Sequence, residues 1–201
     1  MENKLIVSPS PHVHGGDSTT RLMRDVVIAL LPAFAFSIFV YGLSALVVTL
    51  VAVASCMLFE FLIQRFLLKG PFTLNNCSAV LTGMLLAFNL PSNIPIALIV
   101  LGSLFAIGVG KMTFGGLGRN LFNPALVGRV FLLIAFPVQM TTFPTPAAAT
   151  DAMSGATPLA FVKEALKNGV SVSEIMPDLP NYTDMFLGMR AGSLGDRKSV
   201  V

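Results

Sequence analysis

Charge is scarce in this chain: only 11% of its 201 residues are charged, against a hydrophobic share of 54%. Soluble domains carry about 25% charged residues, so the shortage excludes an ordinary water-exposed globule and points to a bilayer. The mean hydropathy of +0.79 agrees. Cysteine occurs only as Cys56 and Cys77, too few to hold an iron–sulfur cluster. Both fall in or beside apolar stretches near the expected cytoplasmic side, where disulfides are rare, and they read as buried thiols. Histidine occurs only in His12-Val-His14, a pair without the further ligands that zinc or iron needs, so no metal site is expected. The basic residues behind a pI near 9.1 are scattered over loops with no compact stripe, which gives no nucleic-acid surface. Residues 1–20 lack the basic, apolar, small-residue order of a signal peptide, so the first apolar stretch is expected to remain as a helix.

What is abundant is apolar sequence in long runs. A helix crossing about 30 Å of hydrocarbon needs roughly 20 residues, fewer when it is buried among others. Five candidates lie at about 24–42, 43–66, 76–91, 94–112 and 122–139. The third is short and holds Thr82-Gly83, so it reads as a broken or re-entrant segment sheltered in a bundle. The expected fold class is all-α, a polytopic membrane bundle.

Lys4, Arg21 and Arg24 precede the first segment, Arg65 and Lys69 follow the second, and Lys111, Arg119 and Arg129 surround the start of the fifth. The alternate connections, Tyr41-Gly42 and residues 89–93, carry no charge. This is a positive-inside pattern with a cytoplasmic amino terminus, and five crossings put everything after Pro137 outside. The chain then divides into a cytoplasmic segment (1–21), a membrane domain (22–139), an outer segment (140–195) and a short tail (196–201).

Three places carry candidate chemistry. Glu60 lies in an apolar run one turn from Gln64 and Arg65. It reads either as a local polar pairing or as a step in ion or proton passage. The loop before the fifth segment places Gly115, Gly116 and Gly118 ahead of Asn120 and Asn123-Pro124. Asn123 suits a helix cap and Pro124 the first helical turn. The loop is either a glycine-rich turn or an amide-lined pocket for a polar, neutral or anionic ligand. No Gly-Lys-Ser/Thr follows it, and neither spacing nor a preceding strand fits a dinucleotide fingerprint.

The third place is Asp151-Ala-Met-Ser154-Gly155-Ala156-Thr157-Pro158-Leu159, beyond a small-residue connector at 141–150. Apolar positions 159, 162 and 166 recur at helical spacing, with Gly169 a stop and Thr157 a cap. Ser154, Gly155 and Ala156 are small enough to leave the threonine hydroxyl open to modification, and Pro158 biases Thr157 toward an extended backbone. A phosphate on that hydroxyl would meet the free amides and positive end of the next helix.

Asp151-x-x-Ser154-Gly155-Ala156-Thr157 resembles the acceptor motif at which a flavin transferase attaches FMN to threonine through a phosphoester. Together with Ser10-Pro11-His12, residues 116–125 and residues 136–141, it makes the chain similar to the family of Rnf D subunits and B subunits of sodium-pumping NADH:quinone reductases. The Ser-Pro-His start and the Pro-Val-Gln-Met-Thr run favour the Rnf branch. The resemblance implies a redox subunit of an ion-translocating oxidoreductase in the inner membrane, inactive alone, working with the A, B, C, E and G subunits of the Rnf complex and matured by the transferase. FMN on Thr157 would pass electrons on the outer side, coupled to sodium or proton movement. Asp151, Ser154, Gly155 and Ala156 would form the recognition motif, and Asn120 and Asn123 would line a site for a second, non-covalent flavin, riboflavin. No residue would be a catalyst in itself. Family members have about ten membrane helices in two related halves, so this chain corresponds to about the first half and the acceptor loop, and residues 196–201 read as a non-native tail encoded by a sequencing adapter. A transporter or channel subunit without a covalent cofactor is the alternative, and a structural scaffold the third reading.

Overall fold

The computed structural model describes residues 18–68, 74–144, 154–155, 158–168 and 193–195. Helix α1 (Thr19–Tyr41) opens on Ser18, whose hydroxyl accepts from the Arg21 amide at 3.2 Å. It runs for 23 residues, about 35 Å, enough to cross a bilayer. Gly42, at φ +67°, then sends the chain straight into α2 (Leu43–Leu62) with no loop between. Only a residue tolerant of positive φ makes so abrupt a reversal.

The next helices are shorter. A single 3₁₀ turn (Leu74–Asn76) leads into α3 (Ser78–Phe88), of 11 residues. Helix α4 (Ile96–Ile107) and helix α5 (Pro124–Ala135) have 12 each. At 1.5 Å per residue α3 and α5 cover roughly 16–18 Å, about half the hydrocarbon thickness. Helix α2 continues into a π-helical turn (Ile63–Leu68) and α4 into another (Gly108–Met112). Pro137 ends α5 and starts the short α6 (Pro137–Thr141). Two two-residue strands, β1 (Phe143–Pro144) and β2 (Ser154–Gly155), pair antiparallel, Phe143 opposite Gly155. Helix α7 (Pro158–Lys167) follows, with Leu166 exposed.

The bundle is therefore all-α, with α1 to α5 matching the five expected segments. Its centre is made by α2, α3, α4 and α5, and small residues let these helices approach closely. Ala45, Ala52, Ala87 and Ala106 are buried at the contacts. A methyl on Gly128 would lie 2.7 Å from the Gly102 carbonyl oxygen, and one on Gly83 would lie 2.6 Å from the Val53 Cα. The latter overturns the expected break at Thr82-Gly83. Helix α3 is continuous there, Thr82 donates its hydroxyl hydrogen to the Ser78 carbonyl at 2.9 Å, and the glycine serves a close crossing with α2. The segment is short because the helix starts late, at Ser78.

Arg129 makes a contact that its place near the start of the fifth segment does not announce. It sits within α5 and reaches Asn89, at the far end of α3, donating to the side-chain oxygen at 2.9 Å. The same turn receives a later piece of the chain: the amides of Leu194 and Gly195 donate to the carbonyls of Leu90 and Phe88 at 3.2 and 2.8 Å. Leu194 is buried there.

Candidate functional site: a polar cavity at two helix starts

The starts of α3 and α5 face a common cavity of about 360 Å³, within the size range of small-ligand sites. Ser78, Leu81, Thr82 and Leu85 of α3 form one side, and residues 120–124 at the head of α5 the other. Met23, Leu117 and Lys111 complete the wall.

The loop between α4 and α5 takes its shape from glycine. Gly115, Gly116 and Gly118 have φ of +97°, +89° and +84°, a region that L side chains rarely enter. Asn123 then caps α5 as expected, its side-chain oxygen accepting from the Ala125 amide at 3.0 Å with Pro124 in the first turn. Asn120 behaves differently. Its side-chain oxygen is buried and has no partner among the described residues. A buried acceptor left unpaired is costly, so a ligand donor is its natural complement. The two asparagines thus share one cavity wall but differ: Asn123 caps α5, and the buried Asn120 oxygen has no partner among the described residues.

Behind the cavity lies a charged cluster. Lys111 Nζ donates to Glu60 Oε2 at 2.6 Å and to Ser78 Oγ at 2.7 Å, and Gln64 Nε2 donates to Glu60 Oε1 at 3.3 Å. Glu60 and Lys111 are 0% and 2% exposed, so this is a fully interior ion pair. The expected pairing of Glu60 with Gln64 is present, and its main partner is a lysine 51 positions away on α4's π-helical extension. Lys111 and Ser78 were the residues that patterning missed. The available signal was a carboxylate in one apolar run and a lysine at the end of another, the two charges that a membrane interior tolerates only as partners.

Of the attachment motif, Ser154 and Gly155 are in β2, held against Phe143 and Pro144. Asp151, Ala156 and Thr157 lie outside the described residues, as do His12, His14 and residues 196–201. Helix α7 does begin at Pro158, where the sequence places it. Among the described residues no group of histidine, cysteine and carboxylate side chains could hold a metal.

Fold and cavity together define a class: a polytopic helical membrane protein whose half-length helices open onto a pocket with a buried ion pair in its wall. Within that class, the chain belongs to the NQR2, RnfD, RnfE family, whose model matches residues 6–201. It is 46% identical over 198 residues, 97% of its length, to the D subunit of the Na(+)-translocating ferredoxin:NAD(+) oxidoreductase complex of Acetobacterium woodii. It is 37% identical over 202 residues to the proton-translocating counterpart of Clostridium ljungdahlii, all of this chain being aligned. To the D subunit of the ion-translocating oxidoreductase complex of Rhodobacter capsulatus it is 36% identical over 212 residues, 95% of its length. The chain spans 58%, 60% and 59% of these three relatives.

Proposed function

We propose that this chain is a flavin-carrying membrane subunit of an ion-translocating oxidoreductase complex, handing electrons between neighbouring redox subunits while a sodium ion or proton crosses the membrane. The observation that carries this reading is family membership over residues 6–201, with relatives named as D subunits of such complexes. Ferredoxin and NAD⁺ would react at other subunits of the assembly.

FMN would be attached by a flavin transferase to Thr157, on the outer side of the inner membrane. Supporting this are the Asp151-x-x-Ser154-Gly155-Ala156-Thr157 motif and the start of α7 at Pro158, a helix start being a place where free amides favour an anion. Riboflavin would occupy the cavity beside Asn120 and Asn123. A volume of about 360 Å³ and the unpaired Asn120 oxygen suit a polar ring with an N–H to donate. Bound flavins supply the one- and two-electron chemistry, and the polypeptide supplies position and electrostatics. Leu81 and Leu85 would keep water from one side of the cavity, the Asn120 side chain would orient a polar edge, and Lys111 brings a positive charge to the wall.

Co-expression with a flavin transferase tests the covalent site. The denatured wild-type chain is expected to fluoresce on a gel under ultraviolet light, and Thr157→Ala to stay dark. Mass spectrometry of the peptide carrying residues 151–163 should find it heavier by one FMN less water. A correctly inserted wild-type chain that stays dark beside active transferase would return Thr157 to a helix cap and make transport the leading function.

A further inference from the structure

The amide-lined loop does not account for the full charge on the cavity wall. Lys111 and Ser78 both line the cavity, whereas Glu60 does not. The carboxylate therefore stands a layer behind the ammonium that it binds at 2.6 Å. An ammonium has three N–H donors, and two are taken by Glu60 Oε2 and Ser78 Oγ. The third has no partner among the described residues. The starts of α3 and α5 add partial positive charge to the same space. Seen from the cavity, the Lys111–Glu60 pair is a dipole with its positive end forward.

We propose that Lys111, held between Glu60 and Ser78, contacts the ligand of this cavity and stabilises its electron-rich state, so that the site prefers a reduced redox ring over the oxidised one. This rests on the flavin reading of the cavity and extends it to a residue outside the Asn120/Asn123 loop. One electron added to a ring adds one negative charge. A fixed ammonium in the wall, 2% exposed, interacts with that charge more strongly than groups surrounded by bulk water do. Glu60 has the complementary task of holding the ammonium in place, since a lone buried charge there would be costly. The two carboxylate oxygens are occupied by Lys111 and Gln64, which turns them away from the ligand.

The test is a redox titration, with dithionite as electron donor, of riboflavin bound non-covalently to the whole subunit purified in detergent. Three forms are compared: wild type, K111R and the double variant E60Q/K111Q, which removes both charges of the pair together. Wild type and K111R are expected to bind riboflavin with closely similar potentials. The double variant is expected to prefer the reduced ring about tenfold less, a fall of about 59 mV in a one-electron midpoint. A double variant that binds riboflavin at the wild-type potential overturns the proposal, and so does K111R falling as far as the double variant, which would assign the effect to shape. A wild-type subunit that binds no riboflavin refutes the flavin reading of the cavity itself, and the role of Lys111 falls with it.

Discussion

Removing Lys111 alone should be among the most damaging single changes in this chain. Lys111→Leu takes the ammonium away from the Glu60 carboxylate in the bundle interior, and breaking a buried pair typically costs about 3–5 kcal/mol. The double change Glu60→Leu/Lys111→Leu should recover part of that loss, because both members of the pair are then removed together. Unfolding of the detergent-solubilised protein in increasing denaturing detergent would measure both, and equal losses in the single and double variants would argue against the pair as the source. Asn120 and Asn123 should separate by the same method. Asn123→Ala removes a cap that accepts from the Ala125 amide and should cost about 1 kcal/mol. Asn120→Leu removes an unpaired buried oxygen, so it should leave stability unchanged or raise it while weakening riboflavin binding. The sequence marked both asparagines as pocket residues. It could not distinguish their tasks, because that depends on which amide each oxygen meets.

Among the elements, the glycines of the helix crossings are the sensitive points. Gly83→Ala would put a methyl 2.6 Å from the Val53 backbone, and α2 and α3 would have to separate; a cost of roughly 1–3 kcal/mol is expected for such overpacking. At Gly42, where added atoms meet open space, Ala should be penalised only for its backbone, φ +67° with ψ −150°, about 1–3 kcal/mol. Apparent melting temperatures of the two variants, compared with wild type, would check both. The helices themselves were largely legible in the apolar runs, since run length, Ser18, Asn123 and Pro124 are local signals. The continuity of α3 was not. Thr-Gly in a short segment looks like a break until the neighbouring backbone at Val53 is seen, and that contact is made by a residue 30 positions earlier. The same long-range logic hid the reach of Arg129 to Asn89 and the pairing of Lys111 with Glu60. The broken third segment was also one support for a transporter, and a continuous α3 removes it.

Across the whole molecule, the two ends of the cavity-forming helices are fastened by different means. At their starts α3 and α5 share the polar cavity, while beyond the last turn of α3 the returning residues 193–195 close over Phe88 and Leu90. Leu194 is buried in that closure, so Leu194→Ala should cost about 2–5 kcal/mol even though it lies far along the chain from α3. Faster proteolysis of the variant around residues 88–95, followed by mass spectrometry, is the expected sign.

The small β1–β2 ladder sets a limit on motion. Gly155 is pinned beside Phe143, just past α6, and α7 begins at Pro158. Three residue steps separate the two anchors, roughly 10–11 Å of fully stretched chain. If Thr157 carries the flavin proposed above, that group stays within this length of chain from the β1–β2 ladder.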